Sequence, residues 1–292
     1  MYSLKELEAL LRSDDPQKYL VIAGGVIAAS ALTYCVYVKL TAKRPKKISP
    51  KHVIVHGCGR GPYCPSLSPF CLKVETYLRM NRIPYQNSHG RRKSKKGKVP
   101  FIEFNGEEVN DSSSIIKFFN EKLGTDLNSH LSNSDQGVAR AFQKMAEENL
   151  YWCVLLHRWV YDNRDWMINI EGISKVGAWV SGKQVKKQAE AHGIGRHSYE
   201  EMIGIEEGDL RAMSEFLGEK SFFFGSRPCE TDCALFGQLS QLRWQLPGTK
   251  GEYFVNEKYT NLRDYCDRMK ATFWPDWNDC ITHVGKIKKP KS

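Results

Sequence analysis

The chain has 292 residues, a formal net charge of +10 and 41% hydrophobic residues, room for one large domain or two modest ones. Its basic excess is confined to three short segments, 39–51, 91–98 and 281–292, so the remaining body is mildly acidic. Binding nucleic acid would need a basic face on the body itself, so that partner class is not expected. Nine cysteines at irregular spacing, with no CxxC pair, argue against a disulfide framework or a zinc site. They are expected to be reduced thiols.

A short N-terminal segment, 1–18, precedes twenty residues without a formal charge, Tyr19 to Val38, with Tyr19, Tyr34 and Tyr37 near the ends. That length matches a helix crossing about 30 Å of hydrocarbon. The upstream flank is slightly acidic, whereas Lys39, Lys43, Arg44, Lys46, Lys47 and Lys51 follow the run. The positive-inside rule then predicts a single-pass membrane protein whose C-terminal part is cytosolic, with the organelle unspecified. A cleaved signal peptide and a buried core helix are the alternatives. The basic linker 39–51 suits an anionic leaflet, so the bilayer itself and its anionic lipids are the expected contacts, with protein partners unidentified.

His52-Val-Ile-Val-His-Gly reads as a strand, followed by a Gly/Pro/Ser loop through Ser68. Pro69 to Met80 reads as a helix capped by Ser68, with Pro69 at its first position. Phe70, Val74, Tyr77 and Leu78 form its apolar stripe, with Lys73, Glu75 and Arg79 expected to face away. A second extended segment starts at Pro84. Val99-Pro100-Phe-Ile-Glu-Phe reads as a strand, and Asn105-Gly106 as a hairpin turn. Asp111-Ser112 then opens a helix with apolar Ile115, Ile116, Phe118 and Phe119. The order is β-α-β-β-β-α over residues 52–125, a thioredoxin-like domain. From 131 to 280 the apolar spacing is helical, with Ser198 and Glu201 as a capping box, and a basic tail, 281–292, follows. The fold class is therefore α+β: a thioredoxin-like N-terminal domain, then an all-helical domain, with an N-terminal transmembrane helix.

Several motifs carry a resemblance. Pro65-Ser-Leu-Ser-Pro-Phe-Cys-Leu-Lys-Val-Glu-Thr-Tyr-Leu-Arg-Met, Gly97-Lys-Val-Pro, Gly193-Ile-Gly-Arg, Leu246-Pro-Gly-Thr and Phe273-Trp-Pro-Asp-Trp are similar to those of the failed axon connections family. That family is a metaxin-related branch of the glutathione transferase superfamily, and the resemblance runs from about residue 15 to 277. It implies a role in axonal development, and cadmium-responsive nematode relatives leave a metal-response role open. It also implies glutathione as a ligand, with no cofactor required. The implied contacts are Val99-Pro100 as a cis-proline loop for the cysteinyl part, Asp111-Ser112 for the γ-glutamyl end, and Ser68 for the sulfur. Asp111 and Ser112 are also ordinary helix caps, as is Ser68.

Ser68 stands where glutaredoxin-like proteins place a nucleophilic cysteine, with Cys71 at the resolving position. Dithiol chemistry through that pair is disfavoured, although a serine hydroxyl can still donate to a thiolate. The long loop Cys58–Leu67 and the basic run Arg91–Lys98 are expected to crowd the cleft. Arg196 and His197, after two glycines and before a capped helix, form a candidate anion site. Cys58, Cys64 and Cys71 are close enough in sequence for a soft metal, but ordinary thiols are the simpler reading and no metal is expected. Two functions stand: an adaptor or binding module, and a Ser68-type glutathione transferase acting on electrophiles.

Overall fold

The computed structural model describes residues 53–90, 92–161 and 174–282. β1 (Val53–Gly57) pairs in parallel with β2 (Tyr85–His89), Val53 opposite Tyr85. It pairs antiparallel with β3 (Phe101–Phe104), which in turn pairs antiparallel with β4 (Glu107–Asn110). The sheet order is β2-β1-β3-β4, with α1 (Pro69–Met80) crossing between β1 and β2 and α2 (Ser112–Leu123) following β4. Asn105 (φ 50°) and Gly106 (φ 84°) close the β3–β4 hairpin, the left-handed pair that a two-residue turn requires.

The helical half begins with α3 (Asn133–Lys144), capped by Ser132 and Asp135. A π-helical turn, Met145–Leu150, leads into α4 (Tyr151–Leu156) and a second one, His157–Tyr161. Next come α5 (Lys175–His192) and α6 (Tyr199–Leu217), the latter with the expected Ser198–Glu201 capping box. The last helices are α7 (Glu230–Ser240), α8 (Lys250–Tyr253) and α9 (Thr260–Phe273).

One expectation about α1 is corrected. Its Val74, Tyr77 and Leu78 pack with Val53, Val55, Ile102, Ile115 and Phe119 in the sheet-side core. Its Leu72 joins the helical core of Leu235, Phe236 and Leu239. The helix is thus sandwiched between two cores, and Lys73 and Glu75 are each 2% exposed rather than facing water. Glu75 accepts hydrogen bonds from Arg60 (3.0 Å), Asn87 (2.9 Å) and Tyr85 (3.2 Å). Arg79 grips Asp276 with both terminal guanidinium nitrogens, at 2.6 and 2.9 Å. It lies 3.9 Å from the Trp274 ring centre. The Phe273–Trp277 motif therefore pins the C-terminal turn to the first helix, not only to the helical half. A Cβ on Gly237 would lie 2.5 Å from the carbonyl oxygen of Pro69. Only glycine allows α7 to approach the start of α1 so closely.

The reading as a single-pass membrane protein is also corrected. Among the described residues no helix is long and apolar enough to cross a membrane. The long helices there interleave apolar with charged positions, as in Glu207, Asp209 and Arg211 of α6. The expected span 19–38 and the linker 39–51 lie outside the described residues, as do Arg91 and the tail from 283 onward.

Candidate functional site

Ser68 caps α1 with extended backbone (φ −104°, ψ 122°), its hydroxyl accepting from the Cys71 N–H at 3.4 Å. Ser66 takes the Ser68 N–H at 3.1 Å. The long loop before it is clamped rather than loose. Arg60 donates to Pro65 O at 2.9 Å. Buried Arg158, from the turn after α4, donates to Leu67 O at 2.7 Å and to Gln241 at 2.9 Å. Gln241 in turn donates to Ser66 O at 3.2 Å. The loop thus presents Ser68 to a cleft of about 520 Å³.

The Val99–Pro100 bond is cis, and Val99 lines the same cleft. The basic loop forms one wall, through Arg92, Lys93 and Lys98, without filling the space. It is fastened to the hairpin by ion pairs of Arg92 with Glu103 and with Glu108 (3.3 Å). Gln184 and Gln188 of α5 line the opposite side.

Asp111 and Ser112 line a second cavity, of about 420 Å³, together with Arg140, Lys144 and Glu147. The Asp111 carboxylate accepts from the Ser113 and Ser114 N–H groups, both at 3.0 Å. Its backbone sits at φ 78° and ψ 134°, a conformation usually left to glycine and found where a surrounding structure holds strain. Beneath it lies a pair the sequence reading did not find. Lys73 Nζ contacts Glu147 Oε1 at 2.5 Å and Ser113 Oγ at 2.9 Å. Lys73 stands between apolar Leu72 and Val74, but its spacing from Glu75 and Arg79 suggests a solvated face.

Phe70 and Tyr151 line both cavities, and their rings meet edge to face with centroids 4.9 Å apart. This contact between the halves is shared by the cavity of Ser68 and Val99 and the cavity of Asp111 and Ser112. The anion candidates stand apart from both cavities. Arg196 Nε donates to Glu190 O at 3.0 Å, and His197 lies 3.7 Å from Glu201. A Cβ on Gly195 would fall 2.5 Å from the Glu190 backbone nitrogen, so this turn is built to pack on the end of α5. Among the described residues no His/Cys/Asp/Glu group could hold a metal ion.

A thioredoxin-like half docked on a helical half, with the cleft at their junction, defines the glutathione transferase class. The glutathione S-transferase N-terminal domain model matches residues 69–164, and the C-terminal domain model 207–269. The fold is similar to that of a β-etherase from Sphingobium sp. strain SYK-6 (17% identity, TM-score 0.57, covering 78% of this chain and 98% of that one). It is also similar to a glutathione S-transferase from Methylobacterium radiotolerans in complex with glutathione sulfonate (16%, TM-score 0.54, covering 82% and 100%). In sequence the chain is 36% identical to Failed axon connections of Drosophila melanogaster over 82% of its length, spanning 63% of that protein. It is 28% identical to the isoprene-epoxide–glutathione S-transferase of Rhodococcus sp. (strain AD45), over 72% of this chain and 94% of that one. Mouse metaxin-2 is 25% identical over 70% of this chain and 82% of its own. The chain belongs to the failed axon connections family, the metaxin-related, glutathione-transferase-like group.

Proposed function

We propose that this protein is a binding or adaptor module on a glutathione transferase scaffold, not a fast conjugating enzyme. The observation that carries the reading is the Phe70–Tyr151 contact. A tripeptide held by the cis-proline loop, Ser68 and Asp111-Ser112 together would meet those two rings between its contacts. The Ser68 hydroxyl accepts from the Cys71 N–H as a helix cap, a role that needs no ligand in the cleft. Kinship with a protein named for failed axon connections supports a part in axonal development.

The second reading is a Ser68-type glutathione transferase. It draws support from the Rhodococcus relative's name and from Ser68 lining the cleft. Turnover of a generic electrophile with glutathione, measured beside the thermal midpoint, separates the two. The adaptor reading expects no measurable turnover, and a loss of about 1 kcal/mol of stability in Ser68→Ala from the lost cap. A measurable rate that collapses in Ser68→Ala while the midpoint holds would replace it with the enzyme reading, because a donor to the developing thiolate would have been removed.

A further inference from the structure

The cleft holds a thiol pair that the adaptor reading leaves without a role. After β1 ends at Gly57 the chain turns into Cys58, which is partly exposed and lines the cleft. Cys71, in the first turn of α1, is 1% exposed. Its sulfur packs against the backbone just before Cys58, where a Cβ on Gly57 would come within 3.0 Å of it. Of the groups around it, the Cys58 side chain acts most strongly on the Cys71 thiol. The remaining described cysteines, including Cys64, Cys153 and Cys266, are buried. Cys58 is thus the accessible thiol among the described residues, with a second thiol directly behind it. A disulfide needs its Cα atoms within about 7 Å. A side chain whose sulfur and Cβ would lie 3.0 and 3.5 Å from a Cβ on the residue before Cys58 is placed for that.

We propose that Cys58 and Cys71 form a reversible dithiol–disulfide site that reacts with low-molecular-weight disulfides entering the cleft. Cys58, as the thiolate, attacks one sulfur of the incoming disulfide. That S–S bond breaks, a bond from Cys58 to the attacked sulfur forms, and one thiol leaves carrying a proton. Cys71 then gives up its proton and attacks the Cys58 sulfur. The mixed disulfide breaks, the Cys58–Cys71 bond forms, and the second thiol leaves. Two protein thiols are oxidised, and one external disulfide is reduced to two thiols. Contact with Cys58, and then burial, pushes the Cys71 thiol up, which fits Cys58 as the attacking group and Cys71 as the resolving one. The bond would tether the start of the clamped loop, so the cleft would respond to thiol redox state.

The test treats the reduced, folded full chain with glutathione disulfide, then denatures it at low pH, alkylates the remaining thiols and maps the peptides. The expected result is loss of alkylation at both Cys58 and Cys71, with a cross-linked peptide joining them that dithiothreitol reverses. Cys71→Ser should stall with one glutathionyl group on Cys58, and Cys58→Ser should leave Cys71 fully alkylatable. A stable Cys58 adduct in the wild type with Cys71 still alkylatable would overturn the proposal. So would the absence of reaction at Cys58 in folded protein while the same chain reacts in urea. If Cys71→Ser folds poorly, the wild-type map decides alone.

Discussion

Replacing Lys73 by methionine removes the cation of a pair that is buried on both sides, with side chains 2% and 6% exposed. Removing one partner of such a pair costs about 3–5 kcal/mol, because the other charge stays buried without compensation. Here Glu147 keeps the Gln143 amide at 3.1 Å and a Lys144 ammonium at 3.9 Å, so the low end, about 3 kcal/mol, is expected. For a folded body of this size that corresponds to a midpoint drop of roughly 6–12 °C. Replacing both partners, Lys73→Met with Glu147→Leu, removes the stranded charge and should return to within about 1–2 kcal/mol of wild type. Denaturant unfolding of the four proteins of this cycle gives the coupling directly. A loss below about 1 kcal/mol for Lys73→Met, with the double variant equal to the sum of the singles, would refute the claim that this pair acts as a unit.

Other outcomes follow from particular contacts. Gly237→Ala sets a methyl 2.5 Å from the Pro69 carbonyl and should lower stability by about 1–3 kcal/mol through overpacking, read as a shifted denaturation midpoint with unchanged m-value. Hydrogen bonding from Arg79 lowers the Asp276 carboxyl from 3.8 to about 2. Its stabilising contribution is therefore complete above pH 3.8 and lost as the pH falls through about 2. Over that window Asp276→Asn should lose less stability on acidification than wild type, and equal slopes would contradict the assignment.

Local signals in the sequence located most of the elements. β1, α1, the Asn105-Gly106 hairpin, the Asp111 cap and the Ser198–Glu201 box each depend on residues within a few positions of one another. The failures lie where distant segments meet. A helix with two buried faces looks amphipathic in one dimension, so its pattern points Lys73 and Glu75 to water while both are buried. The Arg79–Asp276 grip joins residues 197 apart, and the Phe70–Tyr151 contact joins the two halves. Neither leaves a periodic trace. The loop Cys58–Leu67 read as an obstacle because its prolines and length are visible, whereas the Arg60 and Arg158 clamps that turn Ser68 toward the cleft are not. The turn before Arg196 and His197 uses Gly195 to close on α5, a packing role that the spacing of its glycines does not show.

The role of the Phe70–Tyr151 contact is tested most directly by calorimetric titration of glutathione into the wild type and into Phe70→Ala/Tyr151→Ala. The account predicts no detectable binding to the wild type, and measurable binding to the double variant, whose two cavities become one groove from Ser68 to Asp111. Saturable glutathione binding by the wild type, unchanged or weakened in the double variant, would contradict it.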